Sequence, residues 1–374
     1  LARKAYKILI SGGGTGGHVF PAIAIGQALS RLDANVELLF VGAKGRMEME
    51  QVPKAGFAIE GLWISGFQRR MTWGNMLFPI KLATSMAKAW QLVRRFAPDV
   101  VVGVGGYASG PVLEVATRKG LPTLIQEQNS YPGATNRLLA ARVDRICVAW
   151  PGMERWFPAE KLVYTGNPVR RQIVAAADRR AEGRAYFGLA PDKPTILVVG
   201  GSLGARTLNE ALIAAYERIA AHKQVQWLWQ TGKLYAQVCL TSATAALPQV
   251  VAQPFLDCME LAWAAADVVI CRAGALTLSE LCVAGKAGVL VPSPNVVADH
   301  QTHNARTLVE AGAALMVPDA QAVRAVAQAL ALIDDAPRRT QLAERARQLA
   351  KPHADRHIAR EVLALAAKKE VTYA

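Results

Sequence analysis

Four glycine-rich stretches and a few side chains beside them carry the chemistry open to this sequence. Ser11-Gly12-Gly13-Gly14-Thr15-Gly16-Gly17-His18 packs five glycines around one threonine and ends on a histidine. Gly103-Val104-Gly105-Gly106-Tyr107-Ala108-Ser109-Gly110 repeats the arrangement, and Gly200-Gly201-Ser202-Leu203-Gly204 repeats it again in the second half. The fourth, Arg272-Ala273-Gly274-Ala275-Leu276-Thr277-Leu278-Ser279-Glu280, opens a helix after an apolar run. Glycines let backbone N–H groups crowd toward a phosphate, and a following helix adds the positive end of its dipole. The competing reading is a tight turn that only packs helix on strand. Glu280 is placed to accept from ribose hydroxyls or to serve as an ordinary first-turn acid. His18 suits a general base near neutral pH, or it holds its own loop.

Two common readings of such loops fail. Gly12, Gly14 and Gly17 formally spell G-x-G-x-x-G, but a dinucleotide site needs an acid after the second strand. That strand ends Phe40-Val41-Gly42-Ala43-Lys44, and the nearby acids, Asp33 and Glu37, lie before or within it. No Walker A string occurs, since Gly285-Lys286 is followed by Ala287 and Gly232-Lys233 by Leu234. The five cysteines, Cys147, Cys239, Cys258, Cys271 and Cys282, show no C-x-x-C spacing, which argues for reduced thiols without a zinc site. No metal and no cofactor is expected.

The elements that must position these loops alternate as short apolar runs and longer amphipathic stretches, the α/β pattern. Strands are expected at Lys7–Ser11, Val36–Val41, Val100–Val104, Pro122–Gln126, Arg145–Val148 and Leu162–Tyr164, with a helix over Pro21–Leu32. The strand–glycine turn–helix unit then restarts at Thr195–Val199, followed by a helix over Ala205–Ala221 and strands at Trp227–Gln230, Gln249–Val251, Val268–Cys271 and Gly288–Val291. This predicts two doubly wound, Rossmann-like domains, residues 1–168 and 169–352, with a C-terminal helix from about 353 to 374 packing back on the first. Open α/β sheets bind ligands at the carboxyl ends of their strands, so two such sheets facing a central cleft would share it as a site.

The 374 residues carry a net charge of +14 and 52% hydrophobic residues, enough for two cores and anionic partners. No recognised nucleic-acid motif accompanies the charge, so no nucleic acid is expected. Leu1 to Lys7 lead straight into a strand without a signal-type apolar region, and no apolar run is long enough to span a bilayer.

Taken in order, SGGGTGGHVFPA (Ser11–Ala22), VGVGGYASGP (Val102–Pro111), EQN (Glu127–Asn129), GNPVR (Gly166–Arg170), GGSLGAR (Gly200–Arg206), CRAGALTLSE (Cys271–Glu280) and DHQTHNA (Asp299–Ala305) closely resemble the MurG family of bacterial N-acetylglucosaminyltransferases. The resemblance implies a GT-B fold, UDP-N-acetylglucosamine as donor and undecaprenyl-diphosphate-linked muramyl pentapeptide (lipid I) as acceptor. It also implies inversion at the anomeric carbon without a metal. Thr15, Gly16 and Gly17 would approach the sugar–phosphate end of the donor, and Asn129 and Gln301 the sugar. Arg170 and Ser202 would face the diphosphate. Leu256 would hold uracil through its backbone, and Ala275, Leu276, Thr277, Leu278, Ser279 and Glu280 would supply the helix start and the ribose contact. Gly13, Gly14, Gly105, Gly106 and Tyr107 would cradle the acceptor diphosphate. His18 is the favoured base and Glu127 its rival.

The segment Thr72–Phe96 has the composition of an interfacial surface on anionic lipid. Trp73, Leu77 and Phe78 lie near Arg69 and Arg70, and Lys81, Lys88, Arg94 and Arg95 are interleaved. The alternative is a helix packed on its own sheet. The expected location is peripheral, at the cytoplasmic face of the bacterial inner membrane, among cell-wall synthesis proteins. Competing functions are another GT-B lipid glycosyltransferase of the diacylglycerol glucosyltransferase type, an epimerase of the same fold, and a non-catalytic cell-wall scaffold.

Overall fold

The apolar runs form two parallel sheets in which successive side chains enter opposite cores. The computed structural model describes residues 5–65, 77–176 and 178–373, without the side chains of 369–373. Two compact units result, Leu1–Pro168 with His353–Ala374, and Val169–Pro352.

The first unit contains β1 (Lys7–Gly12), β2 (Glu37–Ala43), β3 (Ala58–Leu62), β4 (Val100–Gly105), β5 (Thr123–Glu127), β6 (Arg145–Val148) and β7 (Leu162–Tyr164). They form one sheet in the order β3-β2-β1-β4-β5-β6-β7. Leu9, Val101, Ile125 and Ile146 pack with Leu92 and Val93 of the helix Phe78–Phe96 and with Leu113 of the helix Ser109–Arg118. Ile8, Ile10, Val100, Val102 and Leu124 belong to the other core, with Ile25 and Leu29 of the helix Gly16–Leu32. Strands covered on both faces read as continuous apolar runs. The helix Ala354–Tyr373 joins this second core through Ile358 and Val362, each contributing about 1.5–3 kcal/mol by burial. Arg31 donates to Asp355 at 2.7 Å beside them.

The second unit contains β8 (Thr195–Val199), β9 (Gln226–Gln230), β10 (Val250–Gln253), β11 (Val268–Cys271), β12 (Ala287–Leu290) and β13 (Ala314–Met316), in the order β10-β9-β8-β11-β12-β13. Each sheet therefore reverses its strand order once, between β1 and β4 and between β8 and β11. In such sheets the reversal opens a crevice at the carboxyl ends of the strands.

Several elements differ from expectation. The first helix starts at Gly16, and Pro21, which suggests a helix start by its preference for the first turn, lies inside it. The expected helix over 205–221 is two, Arg206–Ala214 and Tyr216–Ala221, broken at Ala215 (φ −88°, ψ 14°). The edge strands β3 and β13 and the short helix Glu48–Lys54 were not anticipated. β3 carries Glu60 and Gly61 in a five-residue run, and β13 has only three residues.

Candidate functional site

In the first unit the loops after β1 and β4 meet at the sheet's reversal point. The Gly13 N–H donates to the Gly105 carbonyl at 3.2 Å. A Cβ on Gly106 (φ +84°) would lie 2.1 Å from the Gly13 carbonyl oxygen, so the two backbones touch and no side chain fits. A Cβ on Gly105 would lie 2.7 Å from the His18 ring, so the imidazole rests on that backbone. Thr15 precedes the helix in extended conformation, and its Oγ1 lies 3.2 Å from His18 Nδ1. The N–H groups of Gly16 and Gly17 open the helix, where no intrahelical acceptor exists for them. The exposed ring of Tyr107 lies beside Gly14.

One acid in this loop system was missed. Glu48, fully buried, accepts from the Gly14 N–H through Oε2 and from the Ala43 N–H through Oε1, both at 2.9 Å. The N–H groups of Gly13 and Gly14, expected at the acceptor diphosphate, thus both have acceptors inside the protein. Glu48 corrects the statement that no carboxylate follows the second strand: the acid comes from five residues beyond it.

Glu127, the rival base, is surrounded by donors. Its carboxylate is buried at the end of β5, and Oε1 accepts from the Asn129 N–H at 3.0 Å and Asn129 Nδ2 at 3.3 Å. Oε2 accepts from the Gly133 N–H at 3.0 Å and Asn136 Nδ2 at 2.8 Å. Burial raises its pKa against the pull of these four bonds. Four N–H donors demand an acceptor-only group, so Glu127 fits a role in holding Asn129 and the turn after it.

In the second unit the loop Gly200–Gly204 and the start of the helix Ala275–Ala284 lie at the carboxyl ends of β8 and β11. Gly204 (φ +85°) and Gly232 (φ +80°) press together, since a Cβ on Gly232 would lie 2.2 Å from Gly204 Cα. Gln230, also unforeseen, donates to the Gly201 carbonyl at 2.9 Å and accepts from the Leu256 N–H at 3.1 Å. Any base held by Leu256 backbone would therefore meet its carbonyl, the N–H being committed. Ser202 is exposed on its loop. The N–H groups of Ala275, Leu276 and Thr277 form the first turn, while Leu278 already donates to Gly274 at 3.0 Å.

Arg170 and Glu280, expected to act on diphosphate and ribose, bind each other. Arg170 Nε meets Glu280 Oε1 at 2.9 Å and Nη2 meets Oε2 at 3.0 Å, a bidentate pair. Trp263 Nε1 adds a third donor to Glu280 at 3.3 Å. Burial works against the Arg170 charge, but the hydrogen bonds and charge of Glu280 outweigh it and raise its pKa. The Ser279 hydroxyl is likewise turned inward, onto the Ala275 carbonyl at 3.0 Å. Gln301 Oε1 accepts from the Ser293 N–H at 2.8 Å. The chain reaches Gln301 through two left-handed residues, Ala298 (φ 53°) and Asp299 (φ 50°), a conformation costing about 1–2 kcal/mol per residue.

The expected membrane segment is only partly described, and Arg69, Arg70 and Trp73 lie outside the described residues. In the helix Phe78–Phe96, Ser85, Ala89, Leu92 and Val93 face the core. Leu77, Ile80, Leu82 and Trp90 are exposed, and Phe78 is half-buried. Part of the basic set is occupied. Lys88 and Arg95 pair with Glu60 at 3.2 and 2.7 Å. Lys81 donates to Ser65 Oγ at 3.0 Å and stands over the Trp63 ring. Among the described residues no helix is long and apolar enough to cross a membrane, and no group of three or more His, Cys, Asp or Glu could hold a metal.

Two Rossmann-like domains, each with a glycine loop and a helix start at its reversal point, are the architecture of GT-B glycosyltransferases. Family models match accordingly, the glycosyltransferase family 28 N-terminal domain over residues 8–148 and the C-terminal domain over 195–361. A Bacteroides fragilis protein, UDP-N-acetylglucosamine--N-acetylmuramyl-(pentapeptide) pyrophosphoryl-undecaprenol N-acetylglucosamine transferase, is 50% identical over 365 residues, 97% of this chain and 96% of its own. A protein of the same name from Parabacteroides distasonis is 48% identical over 369 residues, 98% of this chain and 100% of its own. The crystal structure of Acinetobacter baumannii MurG is similar with a TM-score of 0.76 and 31% identity, covering 96% of this chain and 99% of that one. The chain belongs to glycosyltransferase family 28 and, within it, to the MurG family.

Proposed function

We propose that this chain transfers N-acetylglucosamine from UDP-N-acetylglucosamine to lipid I, giving lipid II for peptidoglycan synthesis. The support that carries most weight is the full-length likeness to transferases of that name, at 50% identity, in a chain that keeps glycine loops at both reversal points. The second unit is assigned the donor. The first-turn N–H groups of Ala275, Leu276 and Thr277 and the Arg170 guanidinium would stabilise charge on the departing diphosphate. For Glu280 to reach ribose, its pair with Arg170 must open or Arg170 must share it with phosphate. The first unit is assigned the acceptor. Thr15 Oγ1 lies 3.2 Å from His18 Nδ1 and fixes the ring at the first glycine loop, from where the imidazole would take the acceptor hydroxyl's proton. Attack opposite the leaving UDP inverts the anomeric carbon, and the charges named replace a metal. The exposed Leu77 and Ile80 support peripheral binding to an anionic bilayer, at the cytoplasmic face.

Measuring UDP release from UDP-N-acetylglucosamine with lipid I and, separately, with diacylglycerol tests the acceptor. Release with lipid I alone is expected, and release with diacylglycerol alone would replace this reading by that of another lipid glycosyltransferase. His18→Ala should lower turnover more than donor affinity, and unchanged turnover would remove His18 as base.

A further inference from the structure

We propose that Glu48 is a positioning residue for the transfer, an internal anion that locks the first glycine loop and through it sets His18. Its two carboxylate oxygens each take one backbone N–H, from Ala43 at the end of β2 and from Gly14 in the loop after β1. The fold reserves the room. A Cβ on Gly13 would lie 2.1 Å from Glu48 Oε1, and a Cβ on Gly42 would lie 2.4 Å from Glu48 Cγ. Neither glycine has a positive φ, so what these positions require is the missing side chain, not a special backbone conformation.

In a dinucleotide-binding domain the glycine loop receives diphosphate while an acid after the second strand receives ribose. Here the acid after the second strand is spent on the loop itself, and an N–H that could have met a phosphate is satisfied from within. The effect passes along four residues. Gly14 (φ +87°) leads to Thr15, which precedes the helix and lies 3.2 Å from His18 Nδ1, while the His18 ring lies on Gly105. A shift of Gly14 therefore moves Thr15 against the imidazole. Charge-assisted bonds from backbone N–H groups are among the stronger ones available, which suits a group that must hold a loop without touching substrate.

The inference rests on the assignment of His18 as base, and the test separates the two. Glu48→Gln keeps the shape but turns an NH2 toward one of the two backbone N–H groups. Turnover with lipid I should fall about 10-fold while the Kd for UDP-N-acetylglucosamine, measured by calorimetry, stays unchanged. In a His18→Ala background the same substitution should change turnover less than about twofold, because coupled residues are non-additive. The His18 imidazole resonances, followed by NMR without substrate, should shift in Glu48→Gln. An unshifted His18 signal, or a turnover loss that persists in full in the His18→Ala background, overturns the positioning role. A wild-type protein that shows no turnover with lipid I while Glu48→Gln shifts the His18 signal would defeat the proposed function and leave the positioning role standing.

Discussion

Replacing Glu127 with glutamine separates a scaffold from a base. The substitution is isosteric but leaves one acceptor oxygen for four donors. If that oxygen keeps the two Asn129 bonds, the new NH2 faces the Gly133 N–H and Asn136 Nδ2. Turning the Asn136 amide over would only move its NH2 to where Oδ1 now lies buried without a hydrogen-bond partner. Gly133 is a solvent-exposed residue, whereas Asn136 is buried, so the uncompensated donor is Asn136 Nδ2. One buried donor left unsatisfied, with the charge assistance lost, costs about 2 kcal/mol. For a unit of this size that is a fall in Tm of about 4–8 °C. Turnover should change less than about 10-fold, with KM for the donor little altered because Asn129 keeps its bonds. A catalytic base made neutral would instead cost about 10²–10⁴ in turnover. Thermal unfolding and steady-state kinetics on the same preparation decide it. An unchanged Tm with a thousandfold loss of turnover would refute the scaffold reasoning.

Other perturbations follow from the same structure. Ala97 ends the helix Phe78–Phe96 in a left-handed conformation (φ 51°, ψ 59°), so Ala97→Gly should stabilise the protein by about 1 kcal/mol in urea unfolding. Lys286 donates to the Ala264 and Ala266 carbonyls, and burial lowers its pKa from 10.5 to about 8. Between those values the unfolded chain binds more protons, so stability should rise with pH from about 8 to 10.5, a rise that Lys286→Met should lack. Arg170→Lys cannot keep the bidentate geometry, and turnover should fall about 10²-fold in initial-rate assays. Leu77→Ser with Ile80→Ser should weaken co-sedimentation with anionic vesicles, and unaltered sedimentation would remove that surface from the proposal.

How much of this could be read beforehand depended on the range of the interaction. Strand runs such as Val268–Cys271 and Arg145–Val148 are found where expected, because an apolar run buried on both faces is a local signal. The glycine loops were visible for the same reason, and their places after strands followed. The partners that hold the loops were not visible. Glu48 lies five residues past β2, beyond where a strand-end acid is sought, and only the folded chain brings it to Gly14. Gln230 is the last residue of β9 and gives no sign in sequence that it ties Gly201 to Leu256. Arg170 and Glu280 were both identified by type, but their pairing across 110 residues of sequence is a product of packing. The lysines and arginines after Thr72 read as a lipid-facing set until Glu60, on an edge strand too short to anticipate, took two of them.

The proposed reaction is transfer of N-acetylglucosamine to lipid I with inversion, driven by side chains and helix N–H groups without a metal. Its most direct test is to incubate the purified protein with UDP-N-acetylglucosamine and lipid I in excess EDTA, and to determine the linkage in the lipid-linked product by NMR. A β-linked disaccharide formed at a rate unaffected by the chelator is expected. An α-linked product, or none until a divalent cation is restored, would contradict it.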